Sequence, residues 1–206
     1  IKDGMIDATI KKLAFNEASG LSLKDLTLNL YADKGEAKVS NFTLKLPHSI
    51  FSSDSITASY KSTNGNINPK EILLHGHLYG KDIFLGDFAF LNNTLKDIHT
   101  TFSMNTSFAC SNGNITANRI ELYSADKDMR LSAQGHIKPF DTTKEWAIQL
   151  KELHIGTHSL AMINKVLSAT KTNIPPQLAC IKTFSIRGNA NGKGSDIIAN
   201  SHISTN

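Results

Sequence analysis

Asp25-Leu26-Thr27-Leu28-Asn29-Leu30-Tyr31 alternates polar and apolar side chains, and this period of two decides the fold. Successive side chains of a strand point to opposite faces of a sheet. Leu26, Leu28 and Leu30 therefore share one face and their polar neighbours the other. The same period recurs upstream at Ile6, Ala8 and Ile10, and downstream at Phe42, Leu44 and Leu46, then at Ile56, Ala58 and Tyr60. Polar clusters at 16–20, 33–36, 52–54 and 62–68 supply turn chemistry between these stretches, which predicts an antiparallel meander.

The alternation continues through Ile72, Leu74, Gly76 and Leu78, with Gly80-Lys81-Asp82 expected to turn the chain into 83–85. Further period-two runs cover 98–104, 115–122, 129–137, 146–155, 180–186 and 197–203, with a helical turn expected at 92–97 and a turn at 125–128. One segment differs. Leu160, Ile163, Val166 and Leu167 recur at three and four residues, the spacing of one helical face. Thr157 or Ser159 is expected to cap this helix over 159–170, and Pro175-Pro176 to prevent its continuation.

The expectation is a mostly β chain of roughly ten strands. It forms either an antiparallel curled sheet enclosing a groove or a β-sandwich, with one short amphipathic helix near 159–170 packed on the sheet. Residues 1–206 read as a single β-rich unit. The opening Ile1-Lys2-Asp3-Gly4 reads as that of a piece excised from a longer repetitive protein. The echo between Gly76…Gly80-Lys81-Asp82 and Gly188…Gly192-Lys193…Asp196 is explained by two hairpins with the same turn chemistry.

Composition narrows the function. Of 206 residues, 40% are apolar, 19% charged and 7% aromatic, and the formal net charge is +4. That profile suits a folded chain rather than a disordered one. No apolar run approaches the ~18–20 residues of a membrane-spanning helix. The small, dispersed positive charge gives no nucleic-acid stripe.

Candidate chemistry is sparse. His75 and His77 share a strand face at metal-like spacing, but no third ligand sits at a recognisable offset. The pair is expected on the wetter face. No nucleophile elbow, phosphate-binding loop or H-E-x-x-H motif occurs. The glycine-rich stretch 188–194 lies between two strands and reads as a hairpin loop. Asp3, Asp33, Asp54, Asp82, Asp126 and Asp128 fall in turns, where Asp caps backbone donors. Asp126 and Asp128 alternate as calcium ligands do, without the glycine and distal Glu of a calcium-binding loop. Cys110 and Cys180 bring no cluster, and the N-x-S/T triplets at Asn41, Asn92, Asn105 and Asn114 are of the kind that chance supplies in an Asn- and Thr-rich chain. No catalytic residue, metal or cofactor is expected.

Several segments carry a resemblance. Ile10-Lys-Lys-Leu-Ala-Phe15-Asn-Glu-Ala-Ser-Gly20-Leu-Ser-Leu-Lys-Asp-Leu26 resembles the strand, "SGL" turn and strand of TamB-type proteins. Val39-Ser-Asn-Phe-Thr-Leu44-Lys-Leu-Pro47-His-Ser49 and Asp54-Ser-Ile56-Thr-Ala-Ser-Tyr60 are similar to the strands that follow it there. Ile83-Phe-Leu-Gly-Asp87-Phe-Ala-Phe90-Leu-Asn-Asn-Thr-Leu95 resembles a further segment of the family, with Asn92 or its neighbour in place of the usual proline. Phe184-Ser-Ile-Arg-Gly188-Asn-Ala-Asn-Gly192 with Asp196-Ile197 resembles its closing hairpin. This resemblance to the translocation and assembly module TamB family, related to AsmA, implies a non-enzymatic segment of a periplasmic protein anchored in the inner membrane. It implies a role in phospholipid transport between membranes, in outer-membrane protein assembly, or both. The implied partners are phospholipid or other apolar cargo and an outer-membrane barrel assembly protein.

On that reading Leu26, Leu28, Leu30, Phe42, Leu44, Leu46, Ile56 and Tyr60 line an apolar inner face that binds cargo. The competing reading is a secreted or surface β-domain that holds a protein or glycan partner through its loops. Against it, Tyr31, Tyr60, Tyr79 and Tyr123 are scattered along the chain and form no aromatic cluster for sugar stacking.

Overall fold

A computed structural model describes residues 4–18, 20–63, 66–138, 145–169 and 182–205. The expectations that fall on Asp3, Pro175-Pro176, Cys180 and the helix end at 170 lie outside the described residues, as does the strand start at 180–181.

Eleven strands form one antiparallel sheet in strict chain order. They are β1 (Ile6–Asn16), β2 (Ser22–Ala32), β3 (Glu36–Lys45), β4 (Ile50–Ser59), β7 (Leu73–Phe84) and β8 (Thr101–Ser111), then β9 (Asn114–Ser124), β10 (Met129–Ile137), β11 (Trp146–Ile155), β12 (Phe184–Lys193) and β13 (Asp196–Thr205). Between β4 and β7 a small hairpin, β5 (Ser62–Thr63) with β6 (Asn66–Ile67), stands apart from this sheet. The sheet is open: β1 and β13 pair on one side only. The helix α1 spans Thr157–Ala169. Each strand of this sheet thus pairs with its neighbours in chain order, as a meander requires, while the connection from β11 to β12 is long and carries α1.

Hairpin chemistry fixes several registers. Asn112 and Gly113 both adopt positive φ (50° and 74°) between β8 and β9, the two-residue turn whose twist matches that of the strands. Three expected turns are instead strand. Residues 52–54 lie inside β4, and the real β3–β4 turn is 46–49, closed by Leu46 N–H donating to Ser49 O at 2.9 Å. Gly80-Lys81-Asp82 lies inside β7, where Asp82 at φ 53° accompanies a register shift against β8 rather than a reversal. Gly188 and Gly192 lie inside β12, and only Gly194-Ser195 turns the chain into β13.

The buried core is small and sits at one end. Apart from Ala133 in the middle of β10, the buried apolar residues among those described, Leu23, Leu46, Ile83, Ile98, Phe102 and Ile155, lie where strands begin or end at one end of the sheet. There the 3₁₀ turns Leu85–Phe88 and Asn93–Asp97, and α1 beyond them, cover the strand ends. The accessible surface of the chain is 13196 Å², against roughly 9,500 Å² for a compact monomer of this mass. A single sheet exposes both its faces, and the sandwich alternative has no counterpart among the described residues.

Candidate functional site

The pairing registers carry apolar residues across the full width of the sheet. Ala8 stands opposite Leu30, Leu30 opposite Val39, Val39 opposite Ile56, and Ile56 opposite Gly76. The row continues through Phe108, Ala117, Gly135, Ile148 and Ala190 to Ala199. It takes one residue from each of eleven strands and includes no polar side chain. A second row is equally complete. Leu13, Leu26, Leu44, Phe51 and Gly80 lead through Met104, Leu122, Leu131 and Leu153 to Ile186 and Ile203.

Opposed residues of a sheet share a face, so the two rows make one apolar surface. The intervening residues face the other way. Their row runs Asp7, Tyr31, Lys38, Thr57 and His75, then Ala109, Thr116, His136, Ala147, Asn191 and Ile198, and is mostly polar. His75 belongs to that face as expected, and its imidazole meets Thr57 Oγ1 at 2.7 Å through Nε2. A shallow cavity of about 440 Å³ is walled by polar-face residues of β9–β12, among them Gln134, His136, Gln149 and Asn189.

The apolar face is closed at one end and bare at the other. Ile83 and Phe102 are buried at the capped end, whereas Ile115, Ile137, Ile148 and Ile197 toward the opposite end are exposed, Ile148 at 39% and Ile197 at 68%. Of the three glycines in the two rows, Gly76 and Gly80 lie beneath large side chains, whereas a Cβ on Gly135 would meet the backbone of Ala147 at 2.6 Å. A Cβ on Gly76 would come within 3.0 Å of both Ile56 Cγ1 and Phe108 Cζ.

Of the residues expected on this face, Leu26, Leu30, Leu44 and Ile56 belong to the two rows, and Leu28 stands opposite Ile10. Phe42 reaches the same face because Asn41, at φ 52°, inserts a bulge between it and Val39. Leu46 lies beyond β3 in the buried end. Tyr60 follows β4, and its hydroxyl donates to Asp33 O at 2.8 Å, which ties it to the β2–β3 turn. Asp33 itself accepts from Gly35 N–H and Glu36 N–H, which hold its carboxyl below the usual range, and from the Tyr31 hydroxyl.

Two carboxylates organise the capped end: Asp87, to which no sequence pattern assigns a role, and Asp128, one of the turn aspartates expected to cap backbone donors. Asp87, with a side chain 2% exposed, accepts from His48 N–H, Ser49 N–H and Ser49 Oγ, and meets His48 Nδ1 at 2.8 Å. Burial alone pushes its pKa up, but the hydrogen bonds from Ser49 and His48 outweigh it and lower the value. Asp128 Oδ2 accepts from Ser159 N–H at 2.6 Å, so the helix cap comes from the β9–β10 turn and not from Thr157 or Ser159. Thr157 Oγ1 instead donates to Lys182 O. Asp126 completes this latch through Ser124 Oγ and His158 Nδ1, and the Ser124 bond leads in lowering its pKa. At the bare end Glu145 bridges Lys138 and Lys193, each at 2.8 Å, and these partners lower its pKa to about 2. No protein-family model, curated protein or solved structure matches this chain.

Proposed function

We propose that this chain is a segment of a TamB-like envelope protein whose apolar face shelters phospholipid acyl chains. The observation that carries the reading is the pair of unbroken apolar rows across all eleven strands, on a sheet that no second sheet covers among the described residues. On this reading the twist of a sheet this wide curls it into a trough with the apolar face as its floor. Sheltering an acyl chain there contributes about 0.8 kcal/mol per CH₂ removed from water without requiring directional bonds. The cargo can therefore slide. The capped end and the bare end give the trough one stop and one mouth. On this reading no side chain does covalent chemistry, the aliphatic rows act collectively, and phospholipid transport is favoured over barrel-protein assembly because the rows offer apolar contact.

Native mass spectrometry of the purified chain, followed by lipid extraction, tests this reading. Near-stoichiometric phospholipid is expected, lost in Ile148→Asp and retained in Gln149→Glu, whose side chain lies on the other face. A lipid-free wild-type chain, or equal retention in both variants, overturns it.

A further inference from the structure

A second cavity, of about 350 Å³, lies at the capped end between α1 and the segment that leads into β8. Its size is that of a small-ligand site. His158, Ala161 and Met162 line it from α1, where positions three and four apart share a face. Asp97, Ile98, His99 and Thr100 form the other wall. Ile98 is 3% exposed and belongs to the buried core as well, so the cavity borders that core.

The hydrogen-bonding sense of one imidazole is set by its neighbours. Asp126 accepts from Ser124 Oγ and Asp128 N–H, and meets His158 Nδ1 at 2.6 Å. Its pKa is lowered, so it is ionised at neutral pH. An ionised carboxylate only accepts. Nδ1 of His158 therefore carries the proton, and Nε2 of the neutral ring is left as an acceptor. Asp97 is a second acceptor and brings a full negative charge. Its side chain and that of His99 are exposed and have no hydrogen-bond or ion-pair partner among the described residues. The Thr100 hydroxyl and the ring N–H of His99 are donors. The cavity thus offers two acceptors, one of them charged, and two donors beside an apolar wall of Ile98, Ala161 and Met162.

That set of groups selects its ligand. A primary ammonium donates three hydrogen bonds and carries the charge opposite to Asp97. A phosphodiester only accepts and suits the two donors. Phosphoethanolamine carries both ends in one small group. Phosphocholine has the same charges without an N–H for His158 Nε2, and phosphoglycerol has no cation for Asp97. We propose that this cavity seats the phosphoethanolamine head of a phospholipid, with the ammonium against Asp97 and His158 and the phosphate against Thr100 and His99. The inference rests on the lipid-sheltering reading for the acyl chains but not for the head group.

The test is an NMR titration of the full chain that follows the imidazole Cε1–H signals, assigned by His99→Gln and His158→Gln. The first probes are glycerophosphoethanolamine, glycerophosphocholine and glycerophosphoglycerol, none of which has an acyl chain. The ethanolamine head should shift the His99 and His158 signals saturably, and the other two should bind about fivefold more weakly. Asp97→Asn, a change on an exposed side chain, should abolish that preference and leave the circular dichroism spectrum unchanged. Dihexanoyl-phosphatidylethanolamine should bind more tightly than the bare head, and equal affinities would overturn the lipid as its source. No saturable shift, equal affinity for the three heads, or a preference that survives Asp97→Asn overturns the proposal. Phospholipid that co-purifies with a chain whose imidazoles do not respond would strike this site and leave the sheltering face standing. A saturable shift in a chain that purifies without lipid would strike the sheltering face and leave the site.

Discussion

Ser49 and Asp87 lie 38 positions apart, and Ser49 Oγ donates to Asp87 Oδ2 at 2.7 Å while accepting from Phe84 N–H at 2.9 Å. One hydroxyl thus ties the β3–β4 turn to the end of β7 and to the 3₁₀ turn beyond it. Removing it in Ser49→Ala strips a donor from a buried carboxylate and leaves the Phe84 N–H without that acceptor. A loss of about 1–3 kcal/mol is expected in urea unfolding. A change below a few tenths would mean that this junction does not hold the capped end together.

Asp87 also sets an acid limit. Its folded pKa lies below the unfolded value of 3.8. The unfolded state therefore binds more protons between the two values, and stability rises with pH across that window. The contribution is present above 3.8 and is lost as pH falls through the lower folded value. Asp87→Asn should lower stability at neutral pH and flatten the acid limb of the stability–pH curve. An unchanged acid limb would assign acid sensitivity to other carboxylates.

Asp128 and Gly156 form a second junction. A Cβ on Gly156 would overlap the Asp128 carboxylate, whose oxygen accepts from Ser159 N–H at the start of α1. Asp128→Ala should cost about 0.5–2 kcal/mol as a lost helix cap. Gly156→Ala should cost a comparable amount by displacing the same carboxylate. Because the clash is with a side chain, the double variant should cost less than the two singles together, a coupling of about 0.5–3 kcal/mol. Additive costs in denaturant titrations would contradict this geometry.

Trp146, the chain's one tryptophan, stands opposite Gly192 on the apolar face. Its indole occupies the space a Cβ at 192 would need. Gly192→Ala should push the ring outward, red-shift the fluorescence and cost about 1–3 kcal/mol by overpacking. An unshifted spectrum would place the ring elsewhere.

Sequence legibility followed period two. Met129–Ile137 and Trp146–Ile155 are read to the residue: alternation is unbroken in the first, and in the second the bulge between Leu150 and Leu153 shifts the apolar positions without ending the strand. The misreadings at 52–54, at Gly80-Lys81-Asp82 and at 188–192 share one cause. Serine and glycine are turn residues in isolation, but here they sit inside strands at bulges or beneath large neighbours such as Trp146. Asn112-Gly113, a strong hairpin signal, was open to reading and bounds β8 and β9. The apolar set Leu26, Leu28, Leu30, Leu44 and Ile56 was legible, whereas the rows were not, because register depends on bulges such as the one at Asn41. The roles of Asp87 and Asp128 depend on contacts between turns distant in the chain, which no local pattern encodes.

Ile148 and Gln149 are adjacent in β11 and lie on opposite faces. A photoreactive benzoylphenylalanine at either position, with the protein mixed with phospholipid vesicles and irradiated, tests most directly whether the apolar face receives lipid. Lipid adducts at 148 with little or none at 149 are expected. Equal labelling at both positions, or none at 148, would contradict the account.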